Sequence, residues 1–182
     1  MKRVPLFALG VIALSFPVLA QAQDDAIAKA VLAAPAQLRD GATVIKWKSD
    51  FTYDTLKKGT SRLVCYDRSG LPEQQAFSIE CTSVGNLDRV AQNLKAEALG
   101  DKAKTQAMLD AEEKDGTRIK PEFGSVWYHM MGADQEHARM HMTIAVPGAT
   151  TQSIGLPDKA GQGTVWIMNA GTSTAHLMTP GE

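Results

Sequence analysis

The chain has 182 residues, of which 44% are hydrophobic and 21% charged, and its formal net charge at neutral pH is −1. This composition is typical of one ordinary globular domain. It provides no basic stripe, and the few aromatic residues are scattered, so nucleic acid is not expected as a partner.

The first 22 residues have the features of a secretory signal peptide. Lys2 and Arg3 precede an apolar run that ends at Ala20, and the small-x-small pattern "AQA" follows at 20–22. Removing residues 1–22 from 182 leaves 160, so we expect residues 23–182 to form a single exported domain, periplasmic or secreted. Loss of the two basic residues moves the formal charge from −1 to −3. No later stretch is apolar for long enough to cross a bilayer, so we expect no membrane span in the mature chain.

Patterning in the first half indicates a helix followed by strands. "DDAIAKAVLAAP" ends at Pro35 and predicts a short N-terminal helix. "ATVIKWKSDFTY" mostly alternates apolar and polar residues and predicts one strand, which a "KKGT" turn joins to the partner strand "SRLVCY". The first half is therefore predicted to be a small antiparallel unit.

The middle of the chain changes to helical spacing. Leu87, Val90 and Leu94 recur at helical intervals, with Asn86 placed to cap the helix and Gly100 placed to end it. A second, more polar helix is predicted from Asp101 to Asp115.

The last third returns to strand patterns, in "SVWYHMMG", "RMHMTIAV", "TVWIMNAG" and "AHLM". The predicted fold class is therefore α+β, an antiparallel β sheet or sandwich with a helical pair inserted between two groups of strands.

Both cysteines, Cys65 and Cys81, remain after removal of the predicted signal peptide. An exported protein folds where thiols are oxidised, so a disulfide between them is expected. A functional thiol pair is more often spaced C-x-x-C, which favours a structural role.

Five short motifs are spread over most of the mature chain: "APAQLRDGATV", "LKKGTSRLVC", "YHMMG", "HMTIAVP" and "GTSTAHLMTP". In these motifs the chain resembles a family of small exported bacterial proteins that has no assigned activity. The resemblance implies export and an approximate fold. It implies no reaction, because the family has none assigned.

All four histidines fall in the predicted C-terminal strands or their loops, and these predict a candidate metal site. The proposed ligands are His141 and His176 from two strands, His129 or His137 as a third, and Met178 as a soft fourth. Imidazole suits copper and zinc, and a thioether favours copper. The alternative is that His141 and His176 form hydrogen bonds within the sheet while the methionines pack the core. Strand alternation places His141 on the face away from Met140 and Met142.

Other catalytic patterns are weaker. Ser173 lies three residues before His176, as in a serine nucleophile beside its base, although such neighbours in sequence more often form a turn. Asp134 and Glu136 form a candidate acid/base pair in a loop, where carboxylates are usually only solvated.

Two functional hypotheses follow. The first is an exported binding module for a small molecule or a protein partner, with the function on the surface of the C-terminal strands. The alternative is a copper or zinc site protein, or a metal-dependent enzyme, that uses His141 and His176.

Overall fold

The computed structural model describes residues 16–161 and 163–179. Most of the predicted signal peptide, residues 1–15, lies outside the described residues, and cleavage after residue 22 stays a prediction. Within the described ranges no helix combines the length and apolar character needed to span a membrane.

The described residues contain eight strands: Thr43–Trp47 (β1), Tyr53–Lys57 (β2), Leu63–Asp67 (β3), Phe77–Ser83 (β4), Val126–Gly132 (β5), Arg139–Ala145 (β6), Trp166–Met168 (β7) and His176–Met178 (β8). They form one sheet in the order β2-β1-β3-β4-β5-β6-β8-β7. All neighbouring strands run antiparallel except β1 and β3, which are parallel. The α+β class is thus confirmed, with a single mixed sheet in place of a purely antiparallel one.

Four α-helices accompany the sheet in the part of the chain that the structure describes. They are Phe16–Ala30 (α1), Leu87–Glu97 (α2), Lys102–Asp115 (α3) and the single turn Thr151–Ile154 (α4). The helices α2 and α3 lie between β4 and β5 in the chain, which confirms the inserted helical pair. Asp101 caps α3 by accepting hydrogen bonds from the backbone N–H groups of Ala103 and Lys104, and Gly116 ends the helix with φ of 78°.

Several expectations for the first half are wrong in detail. The predicted partner strand "SRLVCY" contains most of β3, which pairs with β1 in parallel and is not an antiparallel partner across the "KKGT" turn. The region predicted as one strand at 42–53 is a hairpin, in which a turn at 48–52 joins β1 to β2. Phe51 adopts a left-handed φ of 64° and donates its N–H to the Lys48 carbonyl at 3.0 Å, which reverses the chain. Within the described residues the N-terminal helix covers Phe16–Ala30, so it already includes residues ahead of Asp24 and stops before Pro35. The strand β4, for which no element was expected, is buried along nearly its whole length.

The sheet has two covered faces. On one, which we call the helix face, Ile45, Val64 and Tyr66 pack against Val90 and Leu94 of α2. Apolar burial of this kind is the main favourable term in folding.

The other face, which we call the N-terminal face, packs against the turn that follows α1. Ala33 and Ala34 contact Phe77, Ile79 and the disulfide there. The two faces together enclose β3 and β4, so the middle of the sheet is the core of the domain.

Cys65 and Cys81 lie directly opposite each other on β3 and β4 and form a disulfide, which confirms the predicted bond. Both are fully buried. The bond therefore ties two central strands together within the core rather than a loop at the surface.

Candidate functional site

Strand pairing decides which histidines are neighbours. His129 on β5 lies directly opposite His141 on β6. His176 on β8 lies opposite Ala145, which is four residues along β6 from His141, or about 13 Å at the rise of an extended strand. The structure therefore brings His141 beside His129 and does not pair it with His176.

His129 is the more enclosed member of this pair. Its Nε2 atom lies 3.0 Å from the Ser78 hydroxyl, and Glu80 is its partner on β4. Burial lowers the pKa of His129, Arg68 and His141 lower it further, and Glu80 opposes the shift. The ring is consequently neutral at neutral pH, which is the form that ligates metal.

The five predicted metal ligands are not gathered into one coordination sphere. His137 lies in the exposed loop before β6, where its Nδ1 is 2.7 Å from an Asp134 carboxylate oxygen. Met178 is paired with Trp166 on the outer strands. In the part of the chain that the structure describes, no group of three or more His, Cys, Asp or Glu side chains could hold a metal ion.

The structure also shows where the other two predicted pairs lie, Ser173 with His176 and Asp134 with Glu136. The Ser173 hydroxyl donates to the Glu113 carboxylate, while His176 Nδ1 donates to the Thr174 carbonyl at 2.7 Å. Ser173 is thus held by a carboxylate and not by His176 as its base. Asp134 and Glu136 are both exposed in the loop before β6.

A cleft of about 320 Å³ opens between the C-terminal strands and the helical pair. We call it the C-terminal cleft; among the residues that line it are Arg89, Arg118, Trp127, Thr143, Asn169 and His176. Its volume lies at the lower end of the range for small-molecule sites. One aromatic ring and several converging polar groups give it the mixed character that such sites share.

Arg89 is the unusual member of the cleft. Its side chain projects from the buried side of α2, and the residue is only 5% exposed. Its Nη1 atom donates to the Ile119 carbonyl and lies 3.5 Å from the Ser173 hydroxyl. No carboxylate among the described residues lies within ion-pair distance of its guanidinium.

Arg118 brings a second buried guanidinium to the same cleft. It donates to Gln92 Oε1 at 2.7 Å and to Asn93 Oδ1, and its Nη1 lies 3.7 Å from Glu112 Oε2. Its Nε–H is buried without a partner among the described residues. Glu112 and Glu113 lie near enough to favour the charged form of both arginines, but they do not outweigh the burial of the two guanidinium groups.

The pKa shifts agree with this arrangement. Burial lowers the pKa of Arg89 to about 10, with Arg118 lowering it further and Glu113 and Glu112 opposing the change. Burial also lowers the pKa of Arg118. Both arginines remain charged at neutral pH. Burial in the cleft therefore disfavours the charged form of both arginines. A bound anion would offset this desolvation free energy.

A buried ionic network borders the cleft. Arg68 donates to Glu80 at 2.7 Å and to Glu97, which itself lines the cleft, and the Tyr66 hydroxyl also donates to Glu80. Burial raises the pKa of Glu97, while for Glu80 the neighbouring Arg68, His129 and Tyr66 outweigh burial and lower the pKa. The network fixes α2 to the middle of the sheet.

Sequence reasoning missed both cleft arginines. Arg89 lies between Asp88 and Val90 in an amphipathic helix, where an arginine usually faces solvent. Arg118 lies in the connection after α3. Their buried positions depend on contacts between distant parts of the chain: Arg89 reaches Ile119 and Ser173, and Arg118 reaches Gln92 and Asn93 of α2. No local pattern in the sequence marks them.

Comparison with known proteins finds no match, whether the chain is compared with protein-family models, curated proteins or solved structures. The function is therefore inferred from the geometry of the site.

Proposed function

We propose that this protein is an exported binding module whose ligand is a small molecule that carries a carboxylate or a phosphate group. The observation that carries the proposal is the buried Arg89 guanidinium, which lines the C-terminal cleft without a carboxylate partner among the described residues. A charge kept in a poorly solvated site needs a counter-charge. A bound anion supplies it, and a guanidinium binds carboxylate and phosphate groups in a two-point geometry.

The rest of the cleft suits the remainder of such a ligand. Trp127 offers an aromatic surface, while Thr143 and Asn169 offer hydrogen-bonding groups. His176 donates through Nδ1 to a backbone carbonyl, and this bond fixes its tautomer with Nε2 as the acceptor. The site is therefore built for binding and orientation.

The test compares an anion with an uncharged molecule of the same shape. Benzoate and inorganic phosphate are expected to bind in calorimetric titration and to raise the melting temperature, because a ligand that binds only the folded state stabilises it. Benzamide has the shape of benzoate without its charge and is expected to do neither.

Variants locate the site. Arg89→Gln should abolish the anion effect, and Arg89→Lys should weaken it while keeping the charge; Arg139→Gln, at an exposed position on β6, is the matched control. If neither anion binds, or if both bind Arg89→Gln and Arg89→Lys as well as the unchanged protein, the proposal fails.

The second candidate function is metal binding by histidine, and the facing pair His129 and His141 is the observation that favours it. The zinc affinity, measured by titration of the untagged protein, should then be lower in His129→Ala and in His141→Ala. It should also decrease as pH falls through the histidine range. Because His176 is not paired with His141, His176→Ala serves as the control. Equal zinc affinity in all of these proteins would leave both paired histidines as structural residues.

A further inference from the structure

We propose a Cu(I) site on the N-terminal face of the sheet, formed by the thioethers of Met130, Met140 and Met142. We call these three residues the methionine patch. The site is separate from the C-terminal cleft and from the histidine pair, both of which lie on the helix face, and it does not depend on the proposed binding function.

Strand register places the three methionines together. Met130 on β5 lies directly opposite Met140 on β6, and Met142 follows two residues along the same strand, opposite Tyr128. Side chains two apart on a strand point to the same face, as do directly opposite residues on paired strands. All three thioethers therefore rise from one side of the β5–β6 pair.

The spacing lets the sulphur atoms converge. Directly opposite residues have Cβ atoms about 4.5–5.5 Å apart, and the diagonal neighbour is about 7–8 Å away. A methionine side chain has three rotatable bonds beyond its backbone, so three such side chains can turn toward one point without movement of the strands. Three thioether ligands are a soft donor set, and soft sulphur ligands select Cu(I) over hard cations.

The exposure of the patch is the second observation. Met140 is 44% exposed and Met142 is 39% exposed, although methionine is usually a buried residue. The helix α1 contacts β2, β3 and β4 on this face of the sheet. Met130 is partly buried and packs against the apolar cluster that includes Phe77 and Ile79. The patch is thus open to an incoming ion on one side and backed by apolar side chains on the other.

Chemistry separates this site from the histidine pair on the helix face. A thioether carries no proton that is lost between pH 5 and 8, so Cu(I) affinity at the methionine patch should not depend on pH in that range. A histidine site must lose protons to bind metal and should weaken as pH falls. His141 shares β6 with two of the methionines, but alternation points it to the opposite face.

The test is an anaerobic Cu(I) titration of the untagged protein in competition with bicinchoninate. One Cu(I) per protein is expected. Each of Met130→Leu, Met140→Leu and Met142→Leu should lower the affinity at least about tenfold, since loss of even an outer contact at a metal site has an effect of that size. Leucine preserves the volume and apolar character of methionine, and circular dichroism checks that each variant is folded.

The matched control is Met168→Leu, because Met168 is 45% exposed and lies on β7, where it pairs with His176 of the helix face. The Cu(I) affinity of Met168→Leu should equal that of the unchanged protein. In a second readout, Ag(I) should shift the NMR methyl resonances of the three patch methionines and leave that of Met168 in place.

Two results would overturn the proposal. One is the absence of competition with bicinchoninate, in which case the patch is only an exposed apolar surface. The other is Cu(I) binding that survives all three leucine variants but is lost in His129→Ala or at low pH, which would assign the ion to the histidines.

Discussion

Replacing Arg68 with methionine tests whether the buried network holds α2 to the sheet. Arg68 is 6% exposed and bonds two carboxylates, Glu80 at 2.7 Å and Glu97. Arg68→Met leaves Glu80, which is 4% exposed, with the Tyr66 hydroxyl but without a counter-charge. Removing one partner of a buried ion pair costs about 3–5 kcal/mol. With a urea m-value of about 2 kcal/mol/M, the unfolding midpoint should fall by about 2 M.

The loss of unfolding free energy in Arg68→Met should become smaller as pH falls. In the unchanged protein the pKa of Glu80 is lowered, so its contribution to stability is present above the unfolded-state pKa and is lost as pH falls. Without Arg68, burial loses the largest of the effects that oppose it, so the pKa of Glu80 should be higher than in the unchanged protein and protonation in the folded state should relieve part of the penalty. The difference in unfolding free energy between the two proteins should therefore shrink as pH falls from 7 to 5.

Urea unfolding followed by circular dichroism at both pH values measures this difference. Arg62→Met is the matched control, because Arg62 pairs with Glu122 at 2.7 Å on the surface, where the two side chains are 68% and 41% exposed. That variant should leave the midpoint nearly unchanged. If Arg68→Met behaves like Arg62→Met, or if its deficit stays constant with pH, the buried pair is not what stabilises the fold.

Two further predictions concern the disulfide and the histidine pair. Reduction of the bond between Cys65 and Cys81, which are 16 residues apart in sequence, should lower the unfolding free energy by about 3 kcal/mol, and identical urea curves with and without reductant would contradict this. Because the pKa of His129 is lowered in the folded state, the unfolded chain takes up the proton first and stability should fall between pH 7 and 5.5. His129→Gln should flatten that fall, and a pH profile unaltered by the substitution would show that His129 does not cause it.

Local signals in the sequence predict the middle of the chain well. The apolar spacing from Leu87 to Leu94 predicts α2, and the N-cap Asp101 and the C-terminal Gly116 predict the ends of α3. Both signals are local, because amphipathicity and capping act within one or two helical turns. The C-terminal strands and the disulfide were also predictable, since each depends on residue type and compartment. The hairpin at Phe51 was not, because a left-handed φ at a bulky residue has no sequence marker of the kind that glycine provides.

Non-local pairing explains what the sequence could not provide. The neighbour of His141 is decided by the register of β5 and β6, and nothing in either strand alone indicates His129. The burial of Arg89 likewise depends on contacts with Ile119 and Ser173, which come 30 and 84 residues later in the chain. Alternation within β6 does predict the separate faces of His141 and Met142, and both metal hypotheses above depend on it.

The order of strands has a consequence for self-association. The sheet ends at β2 on one side and at β7 on the other, and these are the places where another chain could add a strand. β2 carries Asp54 and Lys57 and begins next to Lys48, which pairs with Asp54 at 3.3 Å, while β7 spans only Trp166–Met168. The edge strand β2 is thus charged, and the edge strand β7 is too short to form enough backbone hydrogen bonds with an added strand. The long buried strand β4 is enclosed between β3 and β5, so its backbone becomes available for pairing with another chain only if the centre of the domain opens first.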